Sequence, residues 1–596
     1  MSRLTLFAVL LFMVPKLALA FDFQLSSSQQ DPELNDRLRG ASATASLQNS
    51  EVSATGQDVL AAARADYARL VGVLYDSGFF APVISIRING QEADQFSSIA
   101  PPPVVRRVDI RVETGPPFRF GTARLRPVAP GTQLPESFSS DQLASTGAIQ
   151  SAVDAGIDGW RDEGYAKADL ASQQITARHE QRRLDVDVQI DPGPRLRFGE
   201  LRVQGNRAMR SGRIRDIAGL PTGSVYSPED LDRAAIRLRR TGVFSVVALS
   251  EAEKASPDGT LDIEAQLTEM KPRRFGFGAE LSTNEGLSVS GYWLHRNLFG
   301  GGERLRVEGE ISGIEGQTGG EDYSFGLEFR RPATFNEDTD FYATANYGQR
   351  DEPNFSSNRL VIETGILRYA SPERQYTFGI GYEDARTTSA FGNNIFRVLT
   401  LPLSAEFDYR DDALDATSGF YAKASVTPFV GLTGTSNGVR TFLDARAYKS
   451  TGADDRLTFA VRGQLGSLVG PALAEAPTDF LFFSGGGGTV RGHEYQSLGV
   501  PLNGGAISGG RSFLALATEA RVRTGDRLSL VGFLDAGYVG AESFPDGSSG
   551  DWHTGAGIGV RYDTGIGPVR ADIAVPVTGP GNPSGFQIYI GIGQAF

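Results

Sequence analysis

The chain has 596 residues, no cysteine, and 58 basic against 71 acidic side chains, which gives a formal net charge of −13. The lack of cysteine excludes disulfides and thiolate chemistry, and the acidic balance argues against nucleic acid as a partner. With 40% hydrophobic and 22% charged residues the chain must fold. Its 72 glycines among 596 residues are about 12% of the chain, above the usual share of about 7%.

The N-terminus has the pattern of a secretory signal peptide. Arg3 precedes an apolar run over residues 4–14, and Ala18-Leu19-Ala20 supplies an A-x-A cleavage site. The apolar run is too short to cross a membrane as a helix. We therefore predict a signal peptide over residues 1–20 and an exported mature chain.

Residues 21 to about 270 contain an internal repeat. The segment 115–121 matches 193–199 at an offset of 78 residues, and 160–165 matches 238–243 at the same offset. An earlier copy of the second motif stands at 74–79. A repeat of this length indicates successive small modules. The predicted modules span residues 21–115, 116–195 and 196–270.

The order of elements can be predicted most fully in the third module. The clearest helix signal is at Ser227 and Pro228, an N-cap followed by proline in the first helical turn, and Gly242 ends that helix. The predicted elements are strands at 198–203, 244–250 and 261–267 and helices at 213–218 and 228–241. The order is β-α-α-β-β, and we predict the same order for all three modules.

From about Phe275 onward the pattern changes to strict alternation with glycine-rich turns. Apolar side chains alternate with polar or glycine residues, as at Tyr323, Phe325, Leu327 and Phe329. A soluble β-domain is the alternative, but its outer face is rarely so rich in glycine, whereas a membrane barrel turns apolar residues to lipid and polar ones inward. We predict a transmembrane barrel of about 16 antiparallel strands over residues 271–596, surrounded by the lipid bilayer.

One segment of the predicted barrel, residues 479–495, runs from aromatic residues through four glycines to Val490-Arg491-Gly492. Alternation in the following strands places Glu519 and Asp535 on the inner face of the barrel. An arginine fork can bridge two carboxylates in a confined lumen. We predict that this segment folds back into the barrel and is fixed there by Arg491.

The sequence predicts no enzyme, cofactor or metal site. The four histidines do not stand at ligand spacing, and the carboxylates are scattered. One G-x-S-x-G match surrounds Ser436, but it lies in a polar loop without the strand and helix that a nucleophile elbow needs. We interpret this match as chance.

These motifs resemble a known family. The modules resemble polypeptide-transport-associated (POTRA) domains, and the V-R-G-x-x-Y and L-D-A-G motifs at 490–495 and 534–537 resemble those of outer-membrane assembly factors. With three modules, the chain is most similar to the TamA-like barrel subunits of the translocation and assembly module. The resemblance implies that Arg491 pairs with acids on neighbouring strands. The sequence departs at His493, where the family usually has an aromatic residue.

The resemblance also implies a location and a function. It implies a protein of the Gram-negative outer membrane, with modules in the periplasm, that inserts or secretes unfolded outer-membrane clients, notably autotransporters. The implied partner is a TamB-like protein anchored in the inner membrane. A weak seam between the first and last strands would act as the exit, because an open strand edge templates another strand. The predicted seam residues are Gly276, Gly278, Gly591, Gly593 and Phe596.

Three alternatives remain open at the level of sequence. A two-partner secretion transporter would share the barrel and the V-R-G segment but should have two modules and a plug helix, whereas residues 32–38 fit a first module helix. The main outer-membrane barrel assembly factor should have about five modules. A passive porin would need no periplasmic repeat.

Overall fold

A computed structural model describes residues 21–48, 54–97, 100–282, 286–316, 320–452, 455–525, 527–564, 567–579, 585–592 and 594. The predicted signal peptide and the predicted seam residues Gly593 and Phe596 lie outside the described residues. The chain divides into two compact units. The first unit comprises residues 1–199, 222–229 and 253–261. The second unit comprises residues 200–221, 230–252 and 262–596. Among the described helices, none has both the length and the apolar character to cross a bilayer.

The first module is a four-stranded sheet with helices on it, in the strand order β1-β4-β2-β3. Its elements are β1 Asp22–Ser27, α1 Pro32–Ala41, α2 Ala43–Gln48, α3 Gly56–Asp76, β2 Val83–Ile88, β3 Gln91–Glu92 and β4 Arg107–Glu113, with a 3-10 helix at Ala93–Gln95. The prediction of two helices is wrong here, because the first helical segment is interrupted at Ser42 and the module has three helices. Buried Asp66 accepts hydrogen bonds from the Ser42 hydroxyl and from the amides of Ala43 and Thr44, so it caps a separate helix α2.

The second module is a three-stranded sheet in the order β5-β7-β6. Its elements are β5 Arg119–Arg126, α4 Thr146–Asp162, β6 Asp169–Arg178 and β7 Arg183–Asp191, with a 3-10 helix at His179–Gln181. The predicted first helix is absent from the described residues 127–145, because Pro127, Pro130 and Pro135 cannot continue a helical ladder. This segment instead inserts Phe138 against Phe120, with ring centroids 5.5 Å apart.

The third module has the predicted order β-α-α-β-β. Its elements are β8 Arg197–Gln204, α5 Ser211–Ala218, α6 Pro228–Arg240, β9 Phe244–Glu251 and β10 Thr260–Glu269, and its sheet has the order β8-β10-β9. Gly242 follows α6 with φ +66°, a left-handed conformation that suits a glycine C-cap.

The rest of the chain forms one large antiparallel sheet, as the alternating pattern predicts. Its strands are β11 Arg273–Ser282, β12 Gly286–His295, β13 Arg304–Ile314, β14 Asp322–Arg331, β15 Thr339–Glu352, β16 Phe355–Ser371, β17 Arg374–Ser389, β18 Gly392–Thr400, β19 Leu403–Asp408, β20 Gly419–Thr433, β21 Gly438–Thr451, β22 Leu457–Val469, β25 Ser512–Arg523, β26 Leu528–Gly540, β27 Gly550–Thr564, β28 Gly567–Thr578 and β29 Gln587–Ile592. A separate hairpin consists of β23 Val500–Pro501 and β24 Ile507–Ser508.

The described part of the sheet has seventeen strand segments in the topology of a closed barrel. Strands β18 and β19 both pair with β17 on one side and with β20 on the other, so they are two halves of one strand interrupted before Leu403. Counted this way, the sheet has the 16 positions that the sequence predicts. The first and last strands meet where Ser282 pairs with Tyr589.

The two faces of the barrel wall differ in chemistry. On β26, Leu534 is 53% exposed while the side chain of its neighbour Asp535 is fully buried. On β28, Ile573 is 50% exposed while Asp572 is buried. Apolar residues therefore face outward and charged residues inward, which is the reverse of a soluble β-sandwich and the arrangement of a membrane barrel.

Helix α6 is fixed to the turn between β14 and β15. The Arg237 guanidinium donates two hydrogen bonds to Asp338, at 2.9 and 2.6 Å, and Arg240 stacks on the Tyr369 ring at 3.8 Å. Burial would raise the pKa of Asp338, but the hydrogen bonds from Arg237 and the charges of Arg237 and Arg240 outweigh it and lower this pKa. The contact therefore depends on an ionised carboxylate.

This contact should be sensitive to acid. A carboxyl group with a lowered folded pKa stabilises the fold above its unfolded pKa of about 3.9 and loses that contribution as the pH falls through the folded value. Amide exchange of α6, corrected for its intrinsic pH dependence, should therefore accelerate from about pH 6 to about pH 3. In the Asp338→Asn variant the amides of α6 should exchange rapidly already at about pH 6, because the carboxylate is absent at every pH.

The matched control for this experiment is Asp216→Asn. Asp216 pairs with Arg213 at the surface, with 61% of its side chain exposed, and such pairs contribute little. Identical exchange of α6 in wild type and Asp338→Asn at both pH values would contradict the role of the contact.

Candidate functional site: the loop in the lumen

The connection between β22 and β25, residues 470–511, enters the inside of the barrel. Its aromatic part stacks on the wall, where the Phe482 ring lies 6.2 Å from Phe442 and 5.9 Å from Phe513. Gly485 and Gly486 then reverse the chain with φ of +98° and +92°, which only glycine adopts readily. The loop thus folds back as the sequence predicts, with aromatic packing at its base and the V-R-G tripeptide at its tip.

A first anchor holds the entrance of the loop. Asp479, in a 3-10 helix at Thr478–Phe480, has 2% of its side chain exposed and pairs with Arg350 at 3.1 Å. The Ser357 hydroxyl donates a second hydrogen bond to this carboxylate at 3.1 Å. Arg440 donates to the Phe480 carbonyl at 3.2 Å. These contacts join the loop to β15, β16 and β21.

A second anchor holds the tip, and it brings together Arg491, Glu519 and Asp535. Arg491 donates two side-chain hydrogen bonds to Asp535, at 2.7 and 2.9 Å, and one to Glu519 at 2.7 Å. Its backbone amide also donates to Asp535 at 3.1 Å, and its guanidinium stacks on the Phe533 ring at 3.6 Å. The fork is directed at the wall of β25 and β26, so the loop has one defined seat.

The anchor extends beyond the three predicted residues. Asp572 on β28 lies 3.6 Å from Arg491 and also binds Arg561 of β27, and Arg521 donates to Glu519 at 2.9 Å. The three arginines and three carboxylates balance in charge, and each has at most 6% of its side chain exposed. Balanced pairing is necessary because an unpaired charge buried at this depth costs several kcal/mol. We call these six residues the charge network.

Glycines on the wall make room for the tip. A Cβ on Gly555 would overlap the Arg491 carbonyl oxygen, and a Cβ on Gly537 would lie 2.8 Å from the Val490 side chain. Gly492 has φ +96°, and a Cβ there would lie 2.5 Å from the Val575 carbonyl carbon. Gly537 ends the L-D-A-G motif, so this motif supplies both the carboxylate and the space that the loop requires.

His493 packs against a second histidine at the position where an aromatic residue is expected. Its ring meets His553 edge to face with centroids 5.6 Å apart, and its Nε2 lies 3.1 Å from the Thr554 carbonyl oxygen. His553 in turn lies 2.7 Å from the Ser484 hydroxyl. An imidazole therefore fills the aromatic position and adds polar contacts to the wall.

The predicted seam residues lie on the edge strands as far as they are described. Gly276 and Gly278 on β11 pair with Tyr292 and Ser290 of β12, and Gly591 on β29 pairs with Arg570. A Cβ on Gly276 would overlap the Tyr292 ring, so packing within the wall also explains this glycine. Their role in a seam stays a prediction.

The loop leaves open space beside it. A cavity of about 400 Å³ lies between β13–β16 and the loop, and it is polar. Its lining includes Glu310, Asp322, Arg350, Glu352 and Tyr495. Among the described residues, no group of three or more histidine, aspartate or glutamate side chains could hold a metal ion, and Ser436 is exposed in the turn between β20 and β21.

Asp572, Arg561, Arg521 and Phe533 are site residues that the sequence analysis did not predict. Alternation alone places Arg561 and Asp572 on the inner face, because their neighbours Val560 and Ile573 are apolar. That signal does not say how far along the strand each residue stands relative to the loop tip. The pairing register, Arg561 with Arg570 and Gly559 with Asp572, supplies this information.

Comparison with known proteins gives matches to both parts of the chain. The family model described as Omp85 superfamily domain matches residues 297–596, and the model described as surface antigen variable number repeat, POTRA, matches residues 196–269. The outer membrane protein assembly factor BamA of Nitratidesulfovibrio vulgaris is 24% identical over 439 residues, which are 70% of this chain and 53% of the relative. The chain thus spans about half the length of that relative.

Two solved structures share the fold. BamA from Haemophilus ducreyi lacking POTRA domains 1–3 has a TM-score of 0.61 at 17% identity and covers 79% of this chain and 99% of its own. CdiB from Acinetobacter baumannii has a TM-score of 0.51 at 12% identity, with coverage of 79% and 90%. At these identities the similarity concerns the fold alone.

Removing the arginine of the loop tip should release the loop. Arg491→Ala leaves Asp535 buried without its arginine, while Glu519 keeps Arg521, and breaking a buried pair costs roughly 3–5 kcal/mol. A cysteine in place of buried Ser484 (1% exposed) reports release, because the chain has no other cysteine. We expect maleimide labelling at Ser484→Cys to rise strongly in the Arg491→Ala background.

Arg397→Ala is the control, because Arg397 pairs with Asp384 at 2.7 Å while 43% of its side chain is exposed. Exposed pairs contribute about 0–1 kcal/mol, so labelling should stay near the wild-type rate. Asp535→Asn should release the loop as Arg491→Ala does. If Asp535→Asn alone has no effect and adds none to Arg491→Ala, the pairing does not hold the loop.

Proposed function

This chain belongs to the Omp85 superfamily, and we propose that it is an assembly factor that inserts or secretes outer-membrane proteins. It lies in the outer membrane with its modules in the periplasm. The observation that carries the proposal is the loop seated in the lumen by the charge network. This loop occupies part of the lumen, which a passive pore would keep open for solutes, and its arginine is neutralised by carboxylates of the wall.

The proposed route for the client is the junction of β11 and β29. An exposed strand edge offers unpaired amides and carbonyls to an incoming strand, and glycine inside a strand weakens it. Gly591 stands inside β29, and Gly276 and Gly278 stand inside β11. Phe596 would anchor the last strand at the membrane interface, a common place for aromatic residues.

The specific role that we propose is that of a barrel subunit of a translocation and assembly module. Its clients would be unfolded autotransporters, and its partner a TamB-like protein anchored in the inner membrane. The three-part repeat and the first-module helix α1 Pro32–Ala41 support this choice over a two-partner secretion transporter. The protein would work without catalytic residues or a cofactor.

The main barrel assembly factor is the second candidate, because the relative that matches over 70% of this chain carries that name. Cross-linking of intact envelopes, followed by purification of the protein, separates the two. We expect a long periplasm-spanning protein with an inner-membrane anchor. Recovery of the lipoproteins of the main assembly machine in its place would favour the second candidate.

A reversible clamp across the junction tests the route. Continuing the antiparallel register from Ser282 and Tyr589 by two residues sets Glu280 opposite Gly591, and a disulfide forms when the Cα atoms are within about 7 Å. Oxidation of the Glu280→Cys/Gly591→Cys variant should stop client insertion while the barrel stays folded, and reduction should restore it.

The control is each single cysteine variant under the same oxidant, which should insert clients normally. Full insertion by protein that is demonstrably cross-linked would exclude the junction as the route and leave the lumen or the modules.

A further inference from the structure

Tyr589 is the point at which the loop and the last strand meet. Its hydroxyl oxygen accepts a hydrogen bond from the Gly492 amide at 3.2 Å and lies 3.5 Å from the His493 carbonyl oxygen. Both partners are backbone groups of the loop tip, directly after Arg491. A side chain of the last strand thus contacts the same turn that the charge network seats.

The backbone of Tyr589 belongs to both neighbouring ladders. On one side it pairs with Asp572 of β28, a member of the charge network, and on the other with Ser282 of β11. Its ring packs on the cluster of Val531, Phe533 and Ala574, and Phe533 carries the Arg491 guanidinium on its face. The residue is therefore bounded by the network, by the loop and by the first strand.

We propose that Tyr589 couples the position of the loop to the junction of the first and last strands. When the loop is seated, its backbone holds the Tyr589 hydroxyl and thereby fixes β29 against β11. When the loop leaves its seat, β29 loses that restraint and its pairing with β11 weakens. Tyr589 is a positioning residue, and the importance of the coupling for assembly rests on the function proposed above.

Two other polar residues lie near the junction. The backbone of Arg570 pairs with Gly591, while the Nε and Nη1 atoms of its side chain are buried without a hydrogen-bond partner among the described residues. Gln594 binds Arg561 and Asp415 and so connects the chain end to the charge network. Tyr589 differs from both because its side chain bonds directly to the backbone of the loop tip.

The coupling can be measured without any client. Amide exchange of the barrel in lipid nanodiscs gives separate rates for the loop (residues 484–495), the first strand (273–282) and the last strand (587–592). Four proteins are compared, which are the wild type, Arg491→Ala, Tyr589→Phe and the double variant. Tyr589→Phe removes only the hydroxyl and keeps the ring in its cluster.

We expect Tyr589→Phe to accelerate exchange in the last strand about fivefold, which corresponds to about 1 kcal/mol. Arg491→Ala should accelerate both the loop and the last strand. In the double variant the last strand should exchange no faster than in Tyr589→Phe, because the connection is already lost, while the loop remains fast. If the hydroxyl stabilised β29 without connecting it to the loop, the effects of the two substitutions on the last strand would be additive.

Tyr538→Phe is the matched control, since the Tyr538 hydroxyl also accepts a hydrogen bond from a backbone amide, that of Asp546 at 3.3 Å, which lies outside the loop tip. It should leave exchange in the last strand at the wild-type rate. The proposal is overturned if Tyr589→Phe behaves like Tyr538→Phe, or if Arg491→Ala frees the loop without any change in the last strand.

The outcome is separable from that of the proposed function. Coupled exchange together with full client insertion through a cross-linked junction would leave the coupling intact and exclude the junction as the route. Uncoupled exchange with a junction that blocks insertion when cross-linked would exclude the coupling and leave the route intact.

Discussion

Burial of the Arg491 guanidinium inside the barrel is the constraint on which the rest of the site depends. An ion of this kind loses its hydration and must recover the loss from partners in fixed positions. Glu519 and Asp535 provide them on β25 and β26, and Asp572 adds a third carboxylate on β28. These strands must keep their register for the charge of the loop tip to be neutralised. The position of the loop therefore depends on the register of the wall strands.

The lipid outside the barrel explains why the inside can serve this purpose. Apolar side chains such as Leu534 and Ile573 are directed outward, and strand alternation then directs every second residue inward. Five of the buried charged residues on β25 to β28 form the charge network together with Arg491 of the loop. The glycines Gly537 and Gly555 leave space for the loop. The high glycine content of the chain is thus partly a requirement of the returning loop.

Sequence reasoning could predict what depends on local pattern. Alternation was sufficient to place Glu519 and Asp535 inward, and the capping signals at Ser227, Pro228 and Gly242 were sufficient for helix α6. It could not predict that Asp66 would split the first helical segment, because that contact joins residues more than twenty positions apart. The same limit applies to Asp572, whose place in the network follows from the register of β27 and β28 and not from its neighbours in sequence.

Two restraints act on different arcs of the barrel. Arg237 fixes helix α6 to Asp338 in the turn before β15, whereas the charge network fixes the loop to β25 through β28. The junction of β11 and β29 lies between these arcs in the cyclic strand order. A relative movement of the two arcs must be accommodated by the strands between them, and β29 is restrained there by the loop through Tyr589. In the coupling that we propose, the seated loop is therefore what makes that junction resist such a movement.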